Sequence, residues 1–440
     1  MLTISFKDAL PGVRSDTMIM RHLSHNLASW IKNKFETDDH KPGEECMQVR
    51  QEIFDTYWRF AAMRQEVFFN KINNVPPPWT SDPIINTYKF CNAYRASDRV
   101  SQYLIKNVIY DEKRSQNEEE VIIRILLFKI FNKIETWEYL EKKLGDYITL
   151  SNFDSNVYSD ILQEAMNLGY VIYTSAYMSC ASKEFGYDKK HQNHLALIDR
   201  MVVQDRVDNR IVKAKKFEDV FQIIQEYPLL GKFMAYQLAT DINYSEIINF
   251  DENSFTIAGP GAERGIDKCF IDTDGKTYTD IIHWMTQNQE KEFQRLGFNF
   301  QSLWGRPLQA IDCQNLFCET DKYCRAAFPD LKSNRKKIKS KFTSTPQPID
   351  YFYPPKWRIN DQVKESLANR LPPLEIFDFQ QLDNHCQQLS LELDSLVKNT
   401  PEISDNLSKH LKKHEQKTQS KKSKALQNED TEKPQQLCLF

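Results

Sequence analysis

Glycine is scarce in this chain, with twelve residues in 440. That excludes collagen-like and glycine-rich repetitive architectures and leaves few positions able to take a left-handed turn without steric cost. No apolar run approaches the ~18 residues that span a bilayer, and no secretory leader pattern is present, so a soluble protein of the cell interior is expected. The string G-x-x-x-x-G-K-S/T does not occur, which removes the phosphate cradle of a P-loop kinase. A disulfide framework is lacking too. The nine cysteines, at 46, 91, 180, 269, 313, 318, 324, 386 and 438, are odd in number and scattered, and reduced thiols fit them better. Cys313, Cys318 and Cys324 cluster, with Cys269 as a fourth candidate, but the spacing matches neither a zinc ribbon nor an iron–sulfur site. No metal or other cofactor is expected. Nor is charge of one sign in excess; a net charge of −3 argues against an indiscriminate polyanion binder.

What is present favours helices. Leu, Ile, Lys, Glu and Gln are abundant, which predicts a mainly α protein. With 27 Phe, 19 Tyr and 7 Trp the chain can fill a large core and stack a base. Its length accommodates two modules and a tail. We read an N-terminal segment over 1–46, a main body over 47–345, an accessory helical and linker region over 346–400, and a disordered tail over 401–440. A helix is expected from Met47 until Pro76-Pro77-Pro78 breaks it. Asp82 reads as an N-cap with Pro83 at the first helical position, opening a helix to about Val108. Helical patterning continues over 118–144, with Gly145 as C-cap, and then over 157–181, 278–296 and 376–398. Tyr351 to Trp357 form an aromatic–proline patch suited to packing on the body. Two basic runs, Lys332–Lys341 and Lys409–Lys424, can neutralise phosphates or serve as solvated linker.

The most informative stretch is Tyr227-Pro228-Leu229-Leu230-Gly231-Lys232-Phe233-Met234-Ala235-Tyr236-Gln237, with Asp251 twenty residues after Gly231. An apolar turn closed by glycine and entering a helix is how helix-hairpin-helix proteins hold a DNA phosphate, because the first amides of the helix face the anion. A carboxylate at this interval is where glycosylases of that class keep their catalytic acid. Asp241, Asp267 and Asp272 are rivals for the role. A second polar cluster, Asn92, Arg95 and Arg99, is expected on one face of a helix, with Asp98 one turn from Arg95. Arginine and asparagine there suit phosphate and base edge, and an Arg95–Asp98 ion pair is the alternative. Gly259-Pro260-Gly261 forms either a backbone nest for phosphate or a tight turn against the core. His191 and His194 read as a surface pair.

Several uncommon strings occur in one order over roughly 50–330: Pro78-Trp79-Thr80-Ser81-Asp82-Pro83-Ile84-Ile85; Tyr88-Lys89-Phe90-Cys91-Asn92-Ala93-Tyr94-Arg95 with Asp98-Arg99; Gly231 to Gln237; Ala258-Gly259-Pro260-Gly261-Ala262 with Gly265; and Cys318-Glu319 before Lys322-Tyr323 and Arg325. Together they resemble the alpha-glutamyl/putrescinyl-thymine pyrophosphorylase family, related to the helical domain of hydroxymethyluracil-DNA kinases. The resemblance implies a helical, helix-hairpin-helix DNA glycosylase-like fold acting on double-stranded DNA with modified bases. It implies Asp251 and Asn92 as catalytic residues, and Gly231, Lys232, Arg95, Arg99, Gly259, Gly261 and Arg264 against phosphate. Trp79, Asp82, Tyr94, Asp98, Tyr236 and Gln237 would line the base pocket. The implied activity is a monofunctional glycosylase excising a modified pyrimidine in antiphage defence, since Phe233 stands where bifunctional enzymes carry a Schiff-base lysine. A transferase replacing a group on hypermodified thymine is the alternative, and a non-catalytic DNA-binding module is a third. Leu229 departs from the pattern, occupying the place of the hairpin's first glycine. Gln436, Leu437, Leu439 and Phe440 resemble the peptide with which bacterial proteins grip the sliding clamp. A cytoplasmic, nucleoid-associated protein of bacterium or phage follows as the expectation.

Overall fold

The computed structural model describes residues 47–174, 183–331, 338, 340–343 and 349–370. The chain divides into two units, Met1–Leu371 and Pro372–Phe440, and every described residue belongs to the first. The segment 1–46, the helix expected at 376–398, the tail, the peptide 436–440 and the basic runs apart from Lys341 lie outside the described residues. Among the described residues the chain is mainly α-helical, and no helix is long and apolar enough to cross a membrane.

The body opens on strand β1 (Gln48–Val49), which pairs antiparallel with β2 (Phe270–Asp272). Helix α1 (Gln51–Ile72) therefore starts later than the expected Met47. Its Ile53, Phe54, Tyr57, Trp58, Ala61, Val67 and Phe68 recur at helical spacing and are all buried. Asp82 caps α2 (Pro83–Thr87) by accepting from the Ile85 amide at 2.7 Å. This helix stops after one turn instead of running to Val108. Residues 88–94 are irregular, Arg95–Ser97 form a single 3₁₀ turn, and α3 (Arg99–Tyr103) continues into a π-turn over Leu104–Ile109. The reason is tertiary. Side chains claim the amides that a helix would use: Glu319 takes Cys91 N at 3.0 Å, Asp98 takes Asn92 N at 2.8 Å and Asp312 takes Arg95 N at 2.8 Å.

The expected helix over 118–144 is two helices, α4 (Glu118–Phe131) and α5 (Ile134–Leu144), because Asn132 turns left-handed at φ 49°. Gly145, at φ 71°, ends α5 as its C-cap. Every residue from Val121 to Phe131 is buried, so α4 is a central helix, enclosed on all sides. Helix α6 (Ser155–Asn167) ends near Gly169 (φ 87°) and does not continue to 181. Helices α7 (Lys190–Asp199) and α8 (Val207–Val212) lead to the hairpin of α9 (Phe217–Gln225) and α10 (Lys232–Ile242). They are followed by α11 (Pro260–Cys269), α12 (Tyr278–Arg295), α13 (Ala310–Ala327) and α14 (Asn360–Ala368).

Leu229 sits in the hairpin turn at φ 67°, a conformation that costs a residue bearing a Cβ roughly 1–2 kcal/mol. The turn thus has the geometry that a glycine at this position serves. Leu229→Gly should raise stability by about 0.5–1 kcal/mol in denaturant unfolding, after the entropy that glycine loses on folding. A loss of stability would show that the leucine side chain, half-buried against the core, outweighs the strain.

Candidate active site

The hairpin and the loop after it present two exposed elements. Gly231 is the N-cap of α10, at φ −64°, and is exposed together with Lys232. A Cβ built on Gly231 meets nothing within 4 Å. Neither backbone conformation nor internal packing demands glycine there.

Asp251 is exposed, but its neighbours are clamped. The Asn243 side chain brackets Phe250, donating to its carbonyl and accepting from its amide, both at 3.0 Å. Glu252 is buried and accepts from Arg306 Nη2 at 2.6 Å and Trp357 Nε1 at 3.0 Å. Asn253 donates to Gln309 Oε1 and accepts from the Ala310 amide, both at 2.8 Å, at the start of α13. Phe255 packs on Phe217, Phe221 and Tyr236 of the hairpin. Asp251 Oδ1 accepts from the Asn253 amide at 2.9 Å. The result is an exposed carboxylate on a loop whose flanking residues are held by side-chain hydrogen bonds.

Beneath the loop lies a buried polar network. Arg95 donates through Nε to Gln237 Oε1 at 2.9 Å and through Nη1 to Tyr244 Oη at 3.1 Å, and it pairs with Asp241 at 2.7 Å. Lys129 reaches the same carboxylate at 3.1 Å. Burial would push the Asp241 carboxyl up, but the two cations beside it hold it below the usual carboxylate range; burial pulls Lys129 down to about 8. Two expectations are corrected here. Arg95 is in the interior, where it does not meet a phosphate, and its guanidinium pairs with Asp241. Asp241 is completely enclosed and out of reach of any substrate. The other rivals remain exposed: Asp267 accepts from Tyr278 Oη at 2.9 Å and Asp272 from the Asp274 amide at 2.9 Å.

Asp312 joins the network to the loop, accepting from Arg95 N at 2.8 Å and Gln309 N at 3.0 Å. Burial pushes its carboxyl up to about 7. The folded state thus holds a proton that the unfolded chain releases near its ordinary value of 3.8. This contribution to stability is complete below about pH 4 and is lost as pH rises to about 7, at no more than ~1.4 kcal/mol per pH unit. Unfolding free energies of wild type should fall relative to Asp312→Asn across that window, whatever the constant offset between them. Parallel curves would exclude the shift.

The residues 88–98 run along one face of α13, where Asp312, Glu319 and Tyr323 are spaced seven and four apart. Asn92 is not on a helix with Arg95 and Arg99. Its Oδ1 accepts from Arg64 Nη2 at 3.0 Å and its Nδ2 donates to the Ser97 carbonyl at 2.8 Å. Burial pushes Asp98 up to about 6, against the pull of the Asn92 amide. Asp82 accepts from Tyr323 Oη at 2.7 Å as well as capping α2. Trp79 is half-buried, with the Lys71 ammonium 4.6 Å from its ring centroid. Tyr94 and Tyr236 are buried, Tyr94 donating to the Arg306 carbonyl at 2.7 Å. Arg99 is exposed at the start of α3.

Gly259, Gly261 and Gly265 let α11 approach its neighbours. A Cβ on Gly259 would lie 2.6 Å from the Phe233 ring, and one on Gly261 2.8 Å from Cys318 Sγ. Arg264 is 3.2 Å from Asp321, which also pairs with Lys268 and Arg325. His191 and His194 are buried, correcting the expected surface pair; His194 Nδ1 is 2.7 Å from Tyr173 Oη. Sequence reasoning missed Asn243, Glu252, Asn253, Arg306 and Gln309 as the mount of Asp251. The only signal was the nearness of three of them to Asp251 in the chain.

The family described as "5-hmdU DNA kinase, helical domain" matches residues 51–333. The 5-hmdU DNA kinase of Bacillus phage SP10 is 23% identical over an alignment of 294 residues that covers 63% of this chain and 45% of that protein. The chain therefore spans less than half the length of this relative. No solved structure matches.

Proposed function

This chain belongs to the family of the 5-hmdU DNA kinase helical domain, and we propose that it is an enzyme acting on a modified pyrimidine within DNA, excising the base as a monofunctional glycosylase. The observation that carries this reading is the exposed Asp251 on its clamped loop, twenty residues beyond an exposed Gly231. In the reaction the bond between C1′ and the base nitrogen breaks, and positive charge builds on the deoxyribose. Asp251 stabilises that charge and orients the water whose oxygen adds to C1′; the base leaves with the bonding electron pair and takes up the proton the water gives up, leaving an abasic site and a free base. The target nucleotide is first flipped out of the stack, and the amides at Gly231 and Lys232 hold a flanking phosphate. Phe233 offers no amine for a Schiff base, so the strand is left intact. Modified phage genomes are the proposed substrate, with antiphage defence the proposed purpose. Purified phage genomes bearing unmodified, hydroxymethylated, glucosylated and hypermodified bases, assayed for abasic sites, test the reading. Abasic sites in a modified genome and none in the unmodified one are expected; none in any genome refutes it.

A second reading is favoured by the relative, a kinase by name: a transferase that replaces a group on a hypermodified thymine. It changes base masses without making abasic sites, so mass spectrometry of the same digests separates the two. Recruitment to replicating DNA through Gln436, Leu437, Leu439 and Phe440 completes the proposal. Deleting these residues should weaken clamp binding and leave activity on short oligonucleotides unchanged.

A further inference from the structure

Residues 349–370 lie beyond the family-matched stretch, which ends at 333, yet they grip the loop that carries Asp251. Lys356 Nζ donates to the carbonyls of Ser245 and Ile248, both at 2.7 Å. Trp357 Nε1 donates to Glu252, the residue next to Asp251, at 3.0 Å. The Trp357 ring meets Tyr244 edge-on at 5.6 Å and stacks on Tyr353 at 5.9 Å. Arg306 lies over the same ring at 3.9 Å while also holding Glu252. The segment is itself anchored at both ends. Tyr353 is fully buried, with its hydroxyl 2.8 Å from Ser97 Oγ, and the Phe352 amide donates to Gln102 Oε1 at 2.8 Å. Ser366 accepts from Trp304 Nε1 at 2.8 Å.

From this geometry we infer that residues 349–370 form a strap that positions the Asp251 carboxylate, with Lys356 and Trp357 as its positioning residues. The inference rests on the assignment of Asp251 made above. The strap holds the loop by an ammonium on two of its carbonyls and an indole N–H on the neighbouring carboxylate, and Arg306 and Tyr353 pack on that indole. Loops free of such contacts sample many conformations, and a carboxylate misplaced by ~1 Å loses up to about a hundredfold in rate. Binding of DNA does not depend on that placement, so kcat and KM respond differently.

The test uses the full chain with Trp357→Phe, which keeps a ring but removes the N–H, together with Lys356→Met, Lys356→Arg and Asp251→Asn. Amide hydrogen exchange over residues 245–253, kcat and KM for base release from modified DNA, and the thermal midpoint are read for each. Trp357→Phe and Lys356→Met should exchange faster in the loop and lose about ten- to a hundredfold in kcat, with KM and midpoint near wild type. Lys356→Arg should recover most of the loss. If Asp251→Asn is inactive while the strap variants keep wild-type exchange and kcat, the strap inference is overturned and the assignment of Asp251 stands. If Asp251→Asn is fully active, that assignment falls and the positioning role falls with it. A merely structural strap would lower the midpoint without separating kcat from KM.

Discussion

On the proposed glycosylase reading, Asp251→Asn should cut base release by about 10²–10³-fold, the usual loss when one pre-organised electrostatic group is removed from a reaction centre. Stability should stay within ~0.5 kcal/mol of wild type, as for other surface substitutions. The two halves of this expectation come from the same geometry. The carboxylate faces solvent, so little of its energy is invested in the fold. Its internal bond, from the Asn253 amide to Oδ1 at 2.9 Å, survives because asparagine keeps an acceptor oxygen in the same place. Only the negative charge is lost, and in the proposed reaction that charge is what faces the electron-poor deoxyribose. Release of base at the wild-type rate would move the acid elsewhere, and Asp267 and Asp272 would be substituted next, since both are exposed. Asp241 is not among the alternatives: removing its charge would strand Arg95 and Lys129 in the interior, an unfolding effect of ~3–5 kcal/mol that would mimic loss of activity.

Gly265→Ala should be strongly destabilising, and Gly265→Val should prevent folding. Helix propensity argues the other way, favouring alanine over glycine by about 1 kcal/mol at a helical position. Packing decides the sign. A Cβ at Gly265 would fall 2.7 Å from the carbonyl carbon of Phe317 and 3.1 Å from its Cα. These are backbone atoms of α13 and cannot swing aside as a side chain could. Relieving the clash means moving α13, which also carries Asp312, Glu319 and Tyr323 and through them the residues 82–95. Overpacking costs about 1–3 kcal/mol where neighbours can yield and more where they cannot; here the upper end is expected. Chemical denaturation of Gly265→Ala beside Gly231→Ala makes the contrast, since the second Cβ meets open space and should change stability by no more than about 1 kcal/mol, the N-cap preference for glycine opposing the entropy gain in the unfolded chain. Equal stabilities in the two variants would refute the close crossing of α11 and α13.

The local signals in the chain were legible where a short stretch contains both partners. Asp82 with Pro83 starts a helix, Gly145 ends one, and a helix expected over 278–296 occupies Tyr278–Arg295. They failed where the deciding partner is remote. The stretch 88–108 has helical periodicity, but its amides are taken by Asp312 and Glu319, more than 200 residues away. Arg95 and Asp98 are one turn apart in sequence and suggested a pair, yet the guanidinium is matched by Asp241, brought in by α10. Of the two readings open for Gly259-Pro260-Gly261, a phosphate nest or a tight turn against the core, the packing on Phe233 and Cys318 agrees with the second; the sequence could not choose, because a missing Cβ looks the same whether it admits a ligand or a helix.

By itself the sequence determined that this is a mainly helical chain, related to the helical domain of hydroxymethyluracil-DNA kinases, and where its hairpin and the Asp251 interval lie, because helix periodicity, caps and family strings are carried by neighbouring residues. Only the tertiary structure decided that Asp251 is exposed while Glu252 and Asn253 are held, and that Arg95 is interior. It also decided that a segment beyond residue 349 grips the Asp251 loop. Burial and long-range hydrogen bonding belong to pairs of residues distant in the chain, and no local pattern encodes which pairs the fold will bring together.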